Sequence, residues 1–406
     1  MTFTQIAWHA SFQTEENMIY RDFKGMKLSG LGLGCMRLPV IDGDDTKVNE
    51  DEALDMIEYA YNHGINYFDT AWGYHGGNSE LVVGKGLSKF PRESFYLADK
   101  FPGYDLSNMP KVKEIFEQQL VKCRVDYFDF YLIHNVCEMN IEQYLDPQYG
   151  ILEYFRKQVE NGRIKHLGFS IHANFTTYER FMEVYGPYME FCQLQLNWFD
   201  WTFQDAKRKV EDLSRRSIPV WVMEPLRGGK LIDFSEDEKA RLDALEPDFA
   251  PAEWGFRFLQ TIPGVTMVLS GMTHKDQLVQ NISIWNTDKA LSEADWDALQ
   301  SIAADRIRKG SVPCTACHYC TTHCPQGLDI PWIIELYNQN KTVENDFISI
   351  MAVAALDKDK KPGACVHCHS CEKVCPQQIR ISDIMADFDE RLHPGRKSAE
   401  GEGTGA

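Results

Sequence analysis

The chain reads as an α/β protein: a closed (β/α)8, or TIM, barrel followed by a small, mainly α-helical unit. Three features predict this. Eight short, nearly continuous apolar runs recur along the first three quarters of the sequence. Each leads through a loop into an amphipathic stretch of helical period, which marks parallel strands covered on one face by helices. The alternation closes after eight units over about 250 residues, the usual length of such a barrel. Beyond residue 309 the composition changes abruptly to clustered cysteines.

In order, residues 1–17 show no periodicity and read as an N-terminal extension. Residues 18–28 alternate around a glycine-containing turn and predict a hairpin. The apolar runs at 31–36, 66–70, 95–100, 128–134, 166–170, 192–197, 219–224 and 266–270 are the predicted strands. Helices are expected at 52–62, 80–89, 111–125, 151–161, 177–185, 205–217, 252–261 and 275–284, with one more at 293–308. The barrel therefore spans 18–308. Residues 309–313 read as a linker, 309–392 as the cysteine-rich unit with helices near 330–338 and 343–356, and 393–406 as a flexible tail of Gly, Ser and charge.

The 406 residues are 44% hydrophobic and 25% charged, normal for a globular protein. A net charge of -18 disfavours nucleic acid and anionic lipid as partners. The N-terminus has no basic and apolar leader pattern, no run approaches a membrane span, and the expected location is the cytoplasm. Cys35, Cys123, Cys137 and Cys192 are scattered among apolar residues and read as buried thiols.

In a barrel of this kind chemistry sits at the C-terminal ends of the strands. Asp69, Lys100 and His134 all end apolar runs, and Tyr74 follows Asp69 by five positions. A buried carboxylate needs a cation, and an ammonium beside a phenol favours the phenol's ionised form. If these four polar groups reach the same point, they make a proton-transfer site.

Phe68-Asp69-Thr70-Ala71 with Tyr74, Lys100, Leu132-Ile133-His134, Gly168-Phe169-Ser170, Pro225-Leu226-Arg227-Gly228-Gly229 and Leu269-Ser270-Gly271 followed by Asn281 carry a resemblance to the aldo-keto reductase family over residues 18–308. A carbonyl carbon that accepts a hydride, as in that family, leaves negative charge on oxygen, so the site needs hydrogen-bond donors and a proton source there. Lys100 would supply an ammonium that favours phenolate, Asp69 would keep it charged and aimed, His134 would orient the carbonyl oxygen, and Tyr74 would be the acid in reduction or the base in oxidation. The resemblance implies an extended NADP(H) or NAD(H) across the barrel mouth. Ser170 and Gln193 would hold its carboxamide, Met223 would pack on the nicotinamide ring, and Pro225, Leu226, Gly228 and Gly229 would cover the pyrophosphate. Ser270, Gly271, Met272, Gln277, Gln280 and Asn281 would line the adenosine end. The chain departs from the family's pattern in Ile171 for a common Asn, Met223 for a common Tyr, Gln277 for an Arg that reads a 2'-phosphate, and Gln280 for a common Glu. A neutral amide pairs weakly with a dianion, so the two nucleotides stay close, with a slight lean to NADPH. Trp72, Trp198, Phe199 and Trp201 are expected to wall an apolar pocket for a small-molecule carbonyl substrate.

Cys314-x2-Cys317-x2-Cys320-x3-Cys324-Pro325 recurs as Cys365-x2-Cys368-x2-Cys371-x3-Cys375-Pro376. This is the spacing of bacterial two-cluster ferredoxins, where three cysteines of one run and the last of the other hold each [4Fe-4S] cube. Cys314, Cys317, Cys320 and Cys375 would hold one cluster; Cys365, Cys368, Cys371 and Cys324 the other. Zinc is the alternative, which the third cysteine and the Cys-Pro ending do not fit. The long insert between the runs resembles the helical ferredoxin type fused to oxidoreductases of anaerobes. The clusters pass single electrons whereas nicotinamide exchanges a hydride, and no flavin signature bridges the two. They serve either a ferredoxin or flavoprotein electron partner, or structure and oxygen sensing. The reading is an NAD(P)-dependent carbonyl reductase or alcohol dehydrogenase. A redox-sensing or electron-transfer protein whose barrel binds nucleotide with low turnover is the alternative.

Overall fold

The computed structural model describes residues 18–310, 312, 314, 320–343, 346–375 and 379–394. A hairpin of β1 (Tyr20–Phe23) and β2 (Met26–Ser29) precedes the barrel strands β3 (Leu31–Gly34), β4 (Tyr67–Asp69), β5 (Tyr96–Phe101), β6 (Phe128–Val136), β7 (Ile164–Ile171), β8 (Cys192–Gln195), β9 (Val220–Met223) and β10 (Val265–Ser270). All eight pair in parallel and in sequence order, and β10 closes on β3 through Val268 opposite Leu31. Every predicted strand is present, with ends shifted by a few residues.

Alternation along the strands divides the apolar residues between two cores. Tyr67, Phe130, Phe191, Trp221, Met267 and Leu269 fill the cylinder, and Phe23 and Leu28 of the hairpin pack against that filling. The Phe23 ring lies edge-on to Trp221 with centroids 5.0 Å apart, so the hairpin stoppers the N-terminal end of the barrel. The larger core lies between strands and helices, where Phe68, Leu97, Tyr131 and Phe169 meet Ile57, Phe116, Phe155 and Phe181. Cys35, Cys123, Cys137 and Cys192 are buried, as the sequence suggests.

Four elements differ from the sequence reading. The helix expected to stop at 308 runs Glu293–Gly310, taking in residues assigned to the linker. The helix Glu236–Asp243 buries only Leu242 and therefore has no apolar stripe to betray it; a Ser235–Glu238 capping box starts it instead. The helix expected from 343 begins at Phe347, because Val343 is extended and Asp346 caps the new N-terminus by accepting from the Ser349 N–H at 2.8 Å. The helix Ile381–Leu392, a stretch to which the sequence assigned no element, packs Ile381, Met385 and Phe388 into a separate small core with Ile333, Leu336 and Tyr337. Among the described residues no helix is long and apolar enough to cross a membrane.

Candidate active site

Asp69 is the last residue of β4, and the chain then turns so that the Tyr74 N–H donates to the Ala71 carbonyl at 3.1 Å. His75, next in line, has a left-handed backbone (φ 53°) and a buried ring that pins this turn. Its Nε2 accepts from the Leu38 N–H at 3.0 Å, so Nδ1 carries the proton and donates to the Asp45 carbonyl at 2.8 Å. Nothing in the spacing of the sequence marks His75 for this role, since its partners lie on a loop some thirty residues earlier.

Lys100, near the end of β5, is fully buried. Its ammonium spends all three donors: 2.6 Å to Asp69 Oδ1, 2.7 Å to the Thr70 carbonyl and 3.2 Å to the Tyr74 hydroxyl. Because the phenol oxygen accepts from Lys100, its own proton is free to point into the cavity. His134 lies edge-on to the Tyr74 ring at 6.0 Å and to Tyr104 at 5.3 Å. The four residues are therefore brought together from three strand ends.

Burial and charge act in opposite senses here. Burial pushes the Tyr74 phenol above its ordinary value, and the neighbouring ammonium pulls against that without overcoming it. Lys100 thus acts in the expected sense, but desolvation is the larger effect, and Tyr74 is a protonated donor at neutral pH. Although burial opposes it, the Lys100 charge is held by the Asp69 carboxylate and its pKa is raised. Burial first, and the Lys100 charge second, push His134 well below the usual imidazole range, so the ring is neutral.

A cavity of about 630 Å³ opens over these residues and is lined also by Asn135, Ser170, Gln193 and Met223. The Ser170 hydroxyl accepts from the Asn135 N–H at 2.8 Å, which leaves its proton to donate. Gln193 Oε1 is buried without a hydrogen-bond partner. A ligand amide offers what this pair lacks, an acceptor for the hydroxyl and a donor for the carbonyl, so the residues fit a carboxamide.

The remaining nucleotide candidates lie beyond this cavity's lining. Pro225, Leu226, Gly228 and Gly229 form the turn after β9, where Gly228 and Gly229 have φ of 63° and 92°. The Arg37 guanidinium would sit 2.9 Å from a side-chain carbon at Gly228, and its stem 3.1 Å from one at Gly271. Arg37, which sequence reading passed over, thus lies across both loops and pairs with Glu224 at 3.5 Å. Asn281 donates to the Ser270 hydroxyl at 3.2 Å. Gln277 accepts from the Thr273 and His274 N–H groups and so serves its own helix N-terminus, while Gln280 is exposed. Met272 requires correction: its side chain is buried in the core outside the cylinder and only its main chain can face a ligand. Lys275, which could compensate for the missing Arg, pairs with Asp55 at 2.7 Å.

The expected aromatic wall also needs correction. Trp198 and Phe199 are buried, Trp198 stacking on Phe234. Trp201 packs on Phe258 and Trp296, and Trp72 lies under Lys122. Met36, Tyr104, Met139, Phe347 and Met351 line the cavity instead. A wider groove of about 860 Å³ runs past Lys24, Glu190 and Ser217, before strands β8 and β9 rather than after them, and Lys24 and Glu190 pair with each other there.

In the C-terminal unit, Cys324, Cys365, Cys368 and Cys371 line one small cavity. These are the four thiols assigned to one cube, and an all-thiol set drawn from both runs fits an iron–sulfur cluster. Among the described residues no three potential ligands are drawn in tightly enough to hold a single metal ion. Of the other set, Cys314, Cys320 and Cys375 border the same small core, and Cys317 lies outside the described residues.

The chain belongs to the aldo/keto reductase family, whose model matches residues 30–304, and a 4Fe-4S dicluster domain matches residues 313–379. It is 31% identical over 216 residues to a probable aldo-keto reductase of Glycine max, a match covering 51% of this chain and 58% of that relative. An uncharacterized oxidoreductase of Bacillus subtilis is 26% identical over 310 residues, 70% of this chain and 95% of the relative. Among solved structures, an aldo-keto reductase from Bacillus halodurans in its holo form superimposes with a TM-score of 0.58 at 23% identity, covering 70% of this chain and 96% of that one. An aldo-keto reductase from Klebsiella pneumoniae in complex with NADPH gives 0.55 at 18% identity, covering 70% and 96%. The protein is an oxidoreductase of this family, carrying a 4Fe-4S domain.

Proposed function

We propose that the protein reduces an aldehyde or ketone, or oxidises the corresponding alcohol, with NAD(P)(H) as hydride carrier and Tyr74 as general acid or base. The observation that carries the reading is the Lys100 ammonium, whose donors are fully committed to Asp69, Thr70 and Tyr74. A bound nicotinamide would supply or accept the hydride. Ser170 and Gln193 would hold its carboxamide. Tyr74 gives its proton to the carbonyl oxygen, Lys100 stabilises the phenolate left behind, and neutral His134 donates a hydrogen bond that orients that oxygen. Run backwards, the phenolate takes the alcohol proton.

The C-terminal domain would hold two [4Fe-4S] clusters, one on Cys314, Cys317, Cys320 and Cys375 and one on Cys365, Cys368, Cys371 and Cys324. They would serve either electron exchange with a ferredoxin or flavoprotein, or structure. The test of the reductase reading is Tyr74→Phe, which keeps the ring and removes the proton. Carbonyl reduction is expected to fall by about 10²- to 10⁴-fold, with nucleotide affinity largely intact. Near-parental turnover refutes it.

A further inference from the structure

The cysteine-rich domain reaches the barrel mouth through one helix. Asp346, the N-cap of helix Phe347–Ala355, accepts from Arg227 Nη1 at 3.5 Å, with the two side chains 2% and 6% exposed. Arg227 also clamps Asp200, through Nε at 2.8 Å and Nη2 at 2.6 Å, so the latch is anchored in the turn after β8. It fixes where the next turn of helix lies. Phe347 sits edge-on to His172 with centroids 5.5 Å apart, and Phe347 and Met351, four residues apart on one helix face, line the cavity that holds Tyr74. Phe347 is 49% exposed, a large apolar ring that the core does not account for.

Among the described residues four cations line the cavity: Lys100 faces Asp69, Arg227 faces Asp200 and Asp346, Arg37 faces Glu224, and Lys230 is the fourth. A substrate carboxylate would have to compete with these partners and would meet Asp346 and Glu224 as like charges. An apolar body would meet Phe347 and Met351 on one side and Met139 and Tyr104 among the other lining residues.

We propose that Phe347 and Met351 of the iron–sulfur domain are specificity-determining residues of the reductase pocket, which takes uncharged aldehydes or ketones bearing an apolar group. The inference rests on the reductase reading above. It makes the C-terminal domain part of the substrate site, apart from any electron transfer.

The test compares Phe347→Ala and Met351→Ala with the parent, in full-length, cluster-loaded protein, on an aryl ketone and a compact aliphatic aldehyde. For the aryl ketone kcat/KM is expected to fall by about tenfold relative to the aldehyde, mainly through KM. Nucleotide affinity should stay within about twofold, and a carboxylated aryl ketone should be at least about tenfold poorer in the parent. An unchanged ratio in both variants, or equal use of the carboxylated ketone, overturns the proposal. Should the parent turn over no carbonyl, the reductase reading fails by itself. Calorimetric binding of the aryl ketone to the nucleotide-loaded protein then decides the inference: weaker binding in the variants supports the wall, and equal binding overturns it.

Discussion

Replacing Lys100 by methionine tests the site at its centre while roughly keeping its volume. The ammonium makes the hydrogen bonds to Asp69 Oδ1, the Thr70 carbonyl and the Tyr74 hydroxyl, and the other Asp69 oxygen, Oδ2, is buried with no hydrogen-bond partner. Lys100→Met therefore strands a carboxylate that is 3% exposed. Removing one partner of a buried ion pair costs about 3–5 kcal/mol. The lower end is expected, because burial already pushes the Asp69 pKa up and the carboxyl can take a proton instead. Adding Asp69→Asn should recover most of that stability by removing the stranded charge, leaving about 1–2 kcal/mol for the lost hydrogen bonds. Catalysis should behave differently. With the ammonium gone nothing opposes the burial that disfavours phenolate at Tyr74, so kcat should fall by about 10²- to 10⁴-fold in the single and the double variant alike. Denaturant titration reads the first effect, and nucleotide oxidation in the presence of a carbonyl compound reads the second. A double variant that regains stability and also turns over within about tenfold of the parent would show that Lys100 is a structural counter-ion only.

Two further outcomes are expected. Burial lowers the His172 pKa from 6.5 to about 4, with nearby Lys209 and Arg227 acting in the same sense and Gln195 and Asp200 opposing. The unfolded chain then binds more protons across that window, so the stability it contributes is complete above pH 6.5 and is lost as pH falls toward 4, by up to about 3 kcal/mol. The drop in thermal midpoint from pH 7 to 5 should be smaller in His172→Gln, and an identical drop would contradict the assignment. If Cys324 closes the cluster on Cys365, Cys368 and Cys371, then Cys324→Ala in anaerobically purified protein should lower iron from about eight atoms per chain to about four. Parental iron content would show that the last cysteine of each run is not exchanged between the clusters.

Much of this protein can be read along the chain. Strand positions follow from local apolar runs, and the closed parallel barrel follows from their eightfold alternation with helices, because sequential βα units pack in only one hand. The residues that converge at the cleft were legible for the same reason: strand C-termini share one rim, so Asp69, Lys100 and His134 needed no contact information to be placed together. Helices without an apolar stripe, such as Glu236–Asp243, left no such trace.

Tertiary structure decided what depends on groups distant in sequence. Whether Tyr74 is pulled down by Lys100 or pushed up by burial depends on how much water the surrounding loops exclude. Residues that look like pocket aromatics, Trp198 and Phe199, turned inward, while the wall came from Phe347 and Met351, well over a hundred residues further on. A single sequence records period and spacing, which are local. Desolvation and the docking of one domain on another sum over atoms brought together by the whole chain, and no local pattern encodes that sum.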